Sequence, residues 1–230
     1  ALHRKLPQMS AAMASGAWNK ARRQASTNQR LDGRVLGLVG FGNSARAVAR
    51  RAQGFGIRVV ATRRNMDAPK DAADELGVEM MGLEELLEQS DDVSLHLPLT
   101  DETYHLLDGA MLRKMKQGAY LINTSRGAIV DETALVDLLR AGTLAGAGID
   151  TFEGIDVFVE EEGPSDHPLL SLDNVILSPH VGAISVQAMQ DVTNGGIGNA
   201  AAVLSGYWPP AENLVNPEVV PRFPLAKREE

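Results

Sequence analysis

The chain contains no cysteine, an excess of acidic over basic residues and no long hydrophobic run. The absence of thiols excludes disulfides, thiolate metal sites and a cysteine nucleophile, and we predict no metal site. The chain has 22 basic and 30 acidic residues, and the resulting net charge of -8 argues against nucleic acid as a partner. No apolar run approaches the ~20 residues that a membrane span needs. These absences favour a soluble cytoplasmic protein that binds neither nucleic acid nor membrane.

Short apolar runs alternate with helical patterns along the chain. Hydrophobic residues make up 44% of the 230 residues, enough to bury a substantial core. Apolar runs of strand length lie at 35–39, 59–61, 93–97, 120–122, 147–149 and 175–177. Helical periodicity separates several of them, as at 83–87 and 134–139. This alternation predicts an α/β fold, a Rossmann-type doubly wound parallel sheet with helices on both faces.

A glycine-rich turn follows the first apolar run. Residues 40–45 read Gly-Phe-Gly-Asn-Ser-Ala, after a predicted strand and before a predicted helix. Gly40 allows a tight turn, Gly42 lets the backbone approach a pyrophosphate at the helix N-terminus, and small Ala45 permits close helix packing. We therefore predict a dinucleotide site that includes Gly40, Gly42, Asn43 and Ser44, with an ordinary glycine-rich turn as the alternative.

The end of the second apolar run indicates which dinucleotide would bind. NAD enzymes place a carboxylate there for the adenosine ribose, but this chain has Thr62, Arg63 and Arg64. Two arginines suit a 2'-phosphate by charge and by their forked donors, which favours NADP over NAD. In the alternative interpretation both arginines are solvated loop residues and the preference stays open.

An arginine follows the fourth apolar run. Residues 123–127 read Asn-Thr-Ser-Arg-Gly, and a helix is predicted to start near Asp131. Arg126 then lies just past the carboxyl end of a strand, where open α/β sheets bind ligands. Its guanidinium suits the carboxylate of a substrate.

These motifs, together with Ser-Leu-His-Leu-Pro-Leu-Thr at 94–100 and Ser-Pro-His-Val-Gly at 178–182, resemble the D-isomer-specific 2-hydroxyacid dehydrogenase family. That family includes phosphoglycerate dehydrogenases and glyoxylate/hydroxypyruvate reductases, and the resemblance covers roughly residues 31–217. It implies hydride transfer between NAD(P)H and a small 2-keto or 2-hydroxy acid, with Arg126 and His180 as catalytic residues. It further implies cofactor contacts from Leu97, Pro98, Thr103, Thr124, Ser125, Asp150, His180 and Gly182.

The family's catalytic glutamate has no single match in this chain. It normally lies five residues after the aspartate that matches Asp150, a position that holds Ile155 here. Residues 148–153 are echoed by 154–159, which resembles a six-residue insertion or duplication. Counting six residues back from His167, as the family pattern does, reaches Glu161. We predict Glu161 as this glutamate; the alternatives are Glu153, Glu160 and Glu162, or a solvated acidic loop without the role.

The resemblance also implies a domain organisation. We expect a linking helix over residues 1–24, a dinucleotide-binding domain over 25–204 and a tail over 205–230. The sequence pattern predicts a further helix over 185–205. The family's N-terminal substrate domain has no counterpart in this sequence, and the tail is expected to return toward it. A homodimer through the nucleotide domain and the linking helix is implied as well.

The remaining histidines favour structural roles. His96 and His105 flank a loop that resembles a cofactor-contacting strand end, and His167 is interpreted as shaping its own loop. Two hypotheses compete with an enzyme: a module that senses dinucleotide without turnover, and a structural or oligomerisation domain that has lost the substrate half.

Overall fold

A computed structural model describes residues 1–155, 166–216 and 218–227 of the chain. The chain forms two compact units, Ala1–Gly182 and Ala183–Glu230. Among the helices within the described ranges, none has the length and apolar character that crossing a bilayer requires.

The first unit contains a seven-stranded, entirely parallel sheet. Its strands are β1 (Val35–Val39), β2 (Arg58–Thr62), β3 (Glu79–Met80), β4 (Asp92–Leu95), β5 (Tyr120–Asn123), β6 (Gly146–Ile149) and β7 (Val175–Leu177). The spatial order is β3-β2-β1-β4-β5-β6-β7. The order reverses beside β1, as in Rossmann folds, so the predicted doubly wound sheet is confirmed. All six predicted strands are present, and β3 was missed.

Eight α-helices occur in the described part of the chain. They are α1 (Leu6–Ala14), α2 (Trp18–Gln24), α3 (Asn43–Gln53), α4 (Asp71–Asp74), α5 (Leu83–Gln89), α6 (Gly109–Leu112), α7 (Glu132–Arg140) and α8 (Val186–Leu204). Short 3-10 helices lie at Leu2–Arg4, Ala25–Thr27, Gly127–Ile129, Pro168–Ser171 and Ala211–Asn213.

The expected single helix over residues 1–24 is interrupted. Gly16 has a φ of 77°, a left-handed conformation that ends α1, and α2 restarts at Trp18. Glycine adopts this conformation without steric cost and commonly follows a helix end. The linking segment is therefore two α-helices preceded by a 3-10 turn.

The sheet is buried on both faces. Successive side chains of a strand point to opposite faces, so Leu36 and Leu38 pack with the alanines of α3, while Val39 packs with the leucines of α5 and α7. Both apolar clusters consist of fully or nearly fully buried side chains. This burial fixes the strands, so their carboxyl ends and the loops that follow form one defined edge of the sheet.

The second unit consists mainly of α8. Ser185 caps this helix by accepting a 3.0 Å hydrogen bond from the backbone nitrogen of Ala188. The chain then turns, and Tyr207 forms an isolated bridge with Ala226. The helix predicted at 185–205 is thus confirmed.

Candidate functional site

The turn between β1 and α3 forms an open cradle. Gly40 has a φ of 96°, and a Cβ there would lie 2.3 Å from the carbonyl oxygen of His96, so only glycine fits. Gly42 precedes α3 in ordinary extended backbone, and a Cβ there would meet nothing within 4 Å. No side chain caps this helix end, and Ala45 is fully buried against the sheet. Exposed Asn43 and Ser44 complete a first turn whose amides fit a pyrophosphate.

The two arginines after β2 occupy different environments. The Nη1 atom of Arg63 donates to the carbonyl oxygen of Pro69 at 3.1 Å, so this side chain is folded onto its own loop. The side chain of Arg64 is 83% exposed and pairs with Glu102 at 2.7 Å. Thr62 is buried at the end of β2. Exposed ion pairs contribute only about 0–1 kcal/mol, so Arg64 can exchange Glu102 for another anion at little cost.

The loop after β4 is closed by its own threonine. The hydroxyl of Thr103 donates to the carbonyl oxygen of Pro98 at 2.7 Å and accepts from the backbone nitrogen of Thr100 at 2.8 Å. Leu97 is half-buried, and its Cδ2 atom lies 2.8 Å from the position of a Cβ on Gly40. The loop therefore lies directly against the glycine turn.

The loop after β5 presents Arg126 and is held by Asn123. The side chain of Asn123 donates to the carbonyl oxygen of Arg126 at 2.9 Å and accepts from the backbone nitrogen of Ser125 at 3.0 Å. The hydroxyl of Ser125 donates to the carbonyl oxygen of Leu95 at 2.7 Å, which ties the loop to β4. Thr124 and Arg126 are exposed. A rigid backbone thus carries an exposed guanidinium.

Asp150 holds the loop that carries His180. One oxygen of its carboxylate accepts from the hydroxyl of Ser178 at 2.6 Å and from the nitrogen of Val181 at 3.0 Å, and the other accepts from the nitrogen of Gly182 at 2.9 Å. Its carbonyl oxygen accepts from the nitrogen of His180 at 2.7 Å. Asp150 is 3% exposed, so the structure gives it the role of an anchor for this loop, while its predicted cofactor contact stays a prediction.

These hydrogen bonds set both a charge and a conformation. Burial raises the pKa of Asp150, but hydrogen bonds from Ser178, Gly182 and Val181 and the charge of His180 outweigh it, and the net pKa lies below its ordinary value. His180 has a φ of 55°, a left-handed conformation that few non-glycine residues adopt. Such strain persists where surrounding contacts enforce it, which is common at functional sites.

The described candidates lie at one edge of the sheet. Gly40 follows β1, Arg126 follows β5 and His180 follows β7, and in a parallel sheet these carboxyl ends share one edge. Glu160, Glu161 and Glu162 lie outside the described residues. Glu153, the fourth glutamate considered, accepts from His105 Nε2 at 2.6 Å and from Tyr104 at 3.3 Å.

A second carboxylate–imidazole pair was not predicted. Glu132, buried at the start of α7, lies 3.1 Å from His167 Nε2 and accepts from the backbone nitrogen of Glu153 at 2.7 Å. Burial raises the pKa of Glu132. Leu169 donates its backbone N–H to His167 Nδ1, so the Nε2–H of this imidazole donates to Glu132. The only signal in the sequence was the acidic residue in the first turn of a predicted helix.

The parallel sheet with a glycine turn at its switch point defines a dinucleotide-binding domain of the Rossmann class. Residues 1–182 match the family model described as the D-isomer specific 2-hydroxyacid dehydrogenase, NAD binding domain. The chain belongs to this family.

Several known proteins are similar to the chain. A glyoxylate reductase of Korarchaeum cryptofilum is 48% identical over 82% of this chain and 54% of its own length. A glyoxylate reductase of Thermofilum pendens is 40% identical over 99% of this chain and 65% of its own length. The crystal structure of the TT0316 protein from Thermus thermophilus has a TM-score of 0.79 and 40% identity, covering 91% of this chain and 63% of that one. The chain thus spans between half and two thirds of these relatives.

Proposed function

We propose that the chain is the dinucleotide-binding part of an oxidoreductase that transfers a hydride between NAD(P)H and a small 2-keto or 2-hydroxy acid. The observation that carries this proposal is the common sheet edge at which Gly42, Arg126 and His180 follow their strands. Family membership and two glyoxylate reductases among the relatives support it and make glyoxylate the first substrate to test.

Each group has a role that its chemistry allows. The bound nicotinamide supplies the hydride, and the protein supplies position and charge. The exposed guanidinium of Arg126 binds the carboxylate of the acid and polarises its carbonyl oxygen. His180 donates a proton to that oxygen during reduction and takes it back during oxidation. Asp150 holds the His180 loop and has one carboxylate lone pair left for the nicotinamide side of the cofactor.

A carboxylate that stabilises the protonated imidazole completes the proposed chemistry. We assign Glu161 to this role from the sequence register. In the described part of the molecule, Glu153 is already engaged by His105 and Tyr104, which makes it the weaker alternative. Replacing Glu153, Glu160, Glu161 and Glu162 by glutamine one at a time tests the register, because a change confined to Glu161 is expected.

We further propose that NADP is preferred over NAD. Arg64 supports this, because its exposed guanidinium lies two residues past the end of β2 and, among the described residues, is bound to the surface carboxylate of Glu102 alone. Arg63→Ala combined with Arg64→Ala should weaken NADPH binding by about 10-fold or more, since a charge-assisted phosphate contact contributes roughly 1.5–3 kcal/mol. NADH binding should change little. Equal losses for both cofactors in calorimetric titrations would refute the preference.

We also propose a homodimer in the cytoplasm. Leu6, Met13 and Trp18 on α1 and α2 are 53%, 40% and 64% exposed, and large apolar side chains of this kind are candidates for burial in a subunit contact. Sedimentation velocity should give twice the monomer mass, and Trp18→Glu should shift it to the monomer. A monomer at all concentrations would exclude the proposed assembly.

The function is tested by oxidation of NADPH and NADH in the presence of a panel of 2-keto acids, with the full-length protein. Turnover of glyoxylate or another small 2-keto acid, lost in Arg126→Gln and His180→Gln, is the expected result. Cofactor binding without turnover of any acid would favour a dinucleotide-sensing module instead. Absence of both would leave a structural domain.

A further inference from the structure

Three side chains connect the interior of the sheet with the first turn of α3. Ser94 lies in β4 and is 6% exposed, and its Oγ atom is 3.0 Å from His96 Nε2. The other ring nitrogen, Nδ1, is 3.1 Å from the Oγ atom of Ser44. Ser44 is exposed and follows Gly42 by two residues. A buried hydroxyl is thus linked through one imidazole to an exposed hydroxyl beside the pyrophosphate cradle.

The imidazole of His96 carries one N–H proton in its neutral form, on either Nδ1 or Nε2. Burial lowers the pKa of His96, so the ring is neutral at physiological pH. A neutral imidazole donates from one nitrogen and accepts at the other. If Nδ1 donates to Ser44, the hydroxyl hydrogen of Ser44 is available to another acceptor. If Nδ1 accepts from Ser44, that hydrogen is consumed and Ser44 presents only lone pairs.

Ser94 decides between these two arrangements. Within the described residues, its hydroxyl has a hydrogen-bond partner only in His96 Nε2. A buried hydroxyl hydrogen without an acceptor costs about 1–3 kcal/mol. Ser94 therefore donates to Nε2, which places the ring proton on Nδ1, and Nδ1–H donates to Ser44.

We propose that His96 is a positioning residue of the dinucleotide site: Ser94 and His96 orient the hydroxyl of Ser44 so that it donates to the pyrophosphate. The inference rests on the proposed function, since it requires a bound dinucleotide. Phosphate oxygens only accept hydrogen bonds, and a donor to an anion forms one of the stronger ones. The opposite tautomer of His96 would turn lone pairs of Ser44 toward the anion and weaken binding.

A double-mutant cycle separates positioning from general support of the fold. Ser44→Ala should weaken dinucleotide binding by about 10-fold, the loss of one hydrogen bond to a charged group. Ser94→Ala, which removes no atom from the cradle, should weaken it by about 3-fold. In the Ser44→Ala background, Ser94→Ala should have no further effect.

Ser90→Ala is the matched control. The hydroxyl of Ser90 is fully buried and donates to the carbonyl oxygen of Leu86, so the variant also loses one buried hydroxyl beside β4. The Ser90 hydroxyl has no hydrogen bond to His96 among the described residues. The affinity of Ser90→Ala for NADPH should therefore equal that of the unaltered protein. If Ser94→Ala and Ser44→Ala lose affinity additively, Ser94 supports the fold and the inference is overturned.

Nitrogen-15 NMR of the imidazole gives a second, independent readout. In the dinucleotide complex, His96 should show a protonated Nδ1 and an unprotonated Nε2, with His96→Gln used to assign the signals. In Ser94→Ala this preference should be reduced. The Nε2–H tautomer in the complex would overturn the inference while leaving the proposed function intact. Failure of the unaltered protein to bind any dinucleotide would overturn both.

Discussion

The cradle at the start of α3 gives a quantitative prediction for Gly42→Val. An added side chain meets open space at this position, and the extended backbone suits any residue, so the fold should tolerate it. Valine is a poorer N-cap than glycine but restricts the unfolded chain, two opposing effects that should keep the change in unfolding free energy within about 1 kcal/mol. The valine side chain occupies the space that the proposed function assigns to the pyrophosphate. Dinucleotide affinity should fall by about 100-fold or more, the equivalent of two hydrogen bonds to a charged group.

Gly40→Ala, two residues earlier, should lower the stability of the fold, in contrast to Gly42→Val. Its φ of 96° and the 2.3 Å approach to the carbonyl oxygen of His96 leave no room for a Cβ. Left-handed strain of about 1–2 kcal/mol and overpacking of about 1–3 kcal/mol should lower its unfolding free energy by about 2–5 kcal/mol. Urea denaturation followed by circular dichroism measures both stabilities, and calorimetry with NADPH measures the affinity of Gly42→Val. The assignment of this turn would be refuted if Gly42→Val kept its affinity for NADPH, or if Gly42→Val were destabilised as much as Gly40→Ala.

Three further predictions each concern one acidic side chain. Glu102→Gln releases Arg64 from its ion pair, so NADPH binding should strengthen about 2- to 5-fold in calorimetry while NADH binding stays unchanged; no difference between cofactors would count against a phosphate contact. Asp150→Asn should lower the unfolding free energy by about 1–3 kcal/mol at neutral pH, because an amide cannot accept all the hydrogen bonds of the His180 loop. The pKa of Asp150 is lowered in the folded state, so its contribution is present above the ordinary aspartate pKa and lost as pH falls through the lowered one; a difference independent of pH in urea denaturation would contradict this. Glu161→Gln should move the alkaline limb of the reduction rate profile to lower pH and leave cofactor affinity unchanged, whereas an unshifted limb would show that another group serves the histidine.

Local patterns in the sequence sufficed for most of the sheet. Buried strands such as β1 and β5 contain continuous apolar runs, and the run itself is the signal that predicts them. The two-residue strand β3 at Glu79–Met80 has no such run, since only its pairing with β2 makes it a strand. The break between α1 and α2 depends on the left-handed conformation of Gly16 alone. A glycine within a helical sequence pattern does not by itself reveal whether the helix ends there.

The positions of the candidate site residues were predictable where a single residue type in a local pattern is the signal. Arg126 follows a strand, and the glycines at 40 and 42 have a spacing with a steric meaning. Several of the supporting contacts were not predictable, because they join residues far apart in the chain. The sequence does not show that Ser44 meets His96, 52 residues away. Nor does it show that the anchor of the His180 loop is Asp150, about 30 residues earlier in the chain.

The proposed hydride transfer from the nicotinamide to the substrate carbon can be followed by isotope labelling. The full-length protein is incubated with glyoxylate and reduced NADP that carries deuterium at the transferable position of nicotinamide C4, and the product is analysed by mass spectrometry. We expect glycolate with one deuterium on the carbon that carries the hydroxyl, and no more than a trace of this product from His180→Gln or Arg126→Gln. Glycolate without deuterium would contradict direct hydride transfer. Labelled glycolate from both variants in the same amount as from the unaltered protein would contradict the proposed roles of His180 and Arg126.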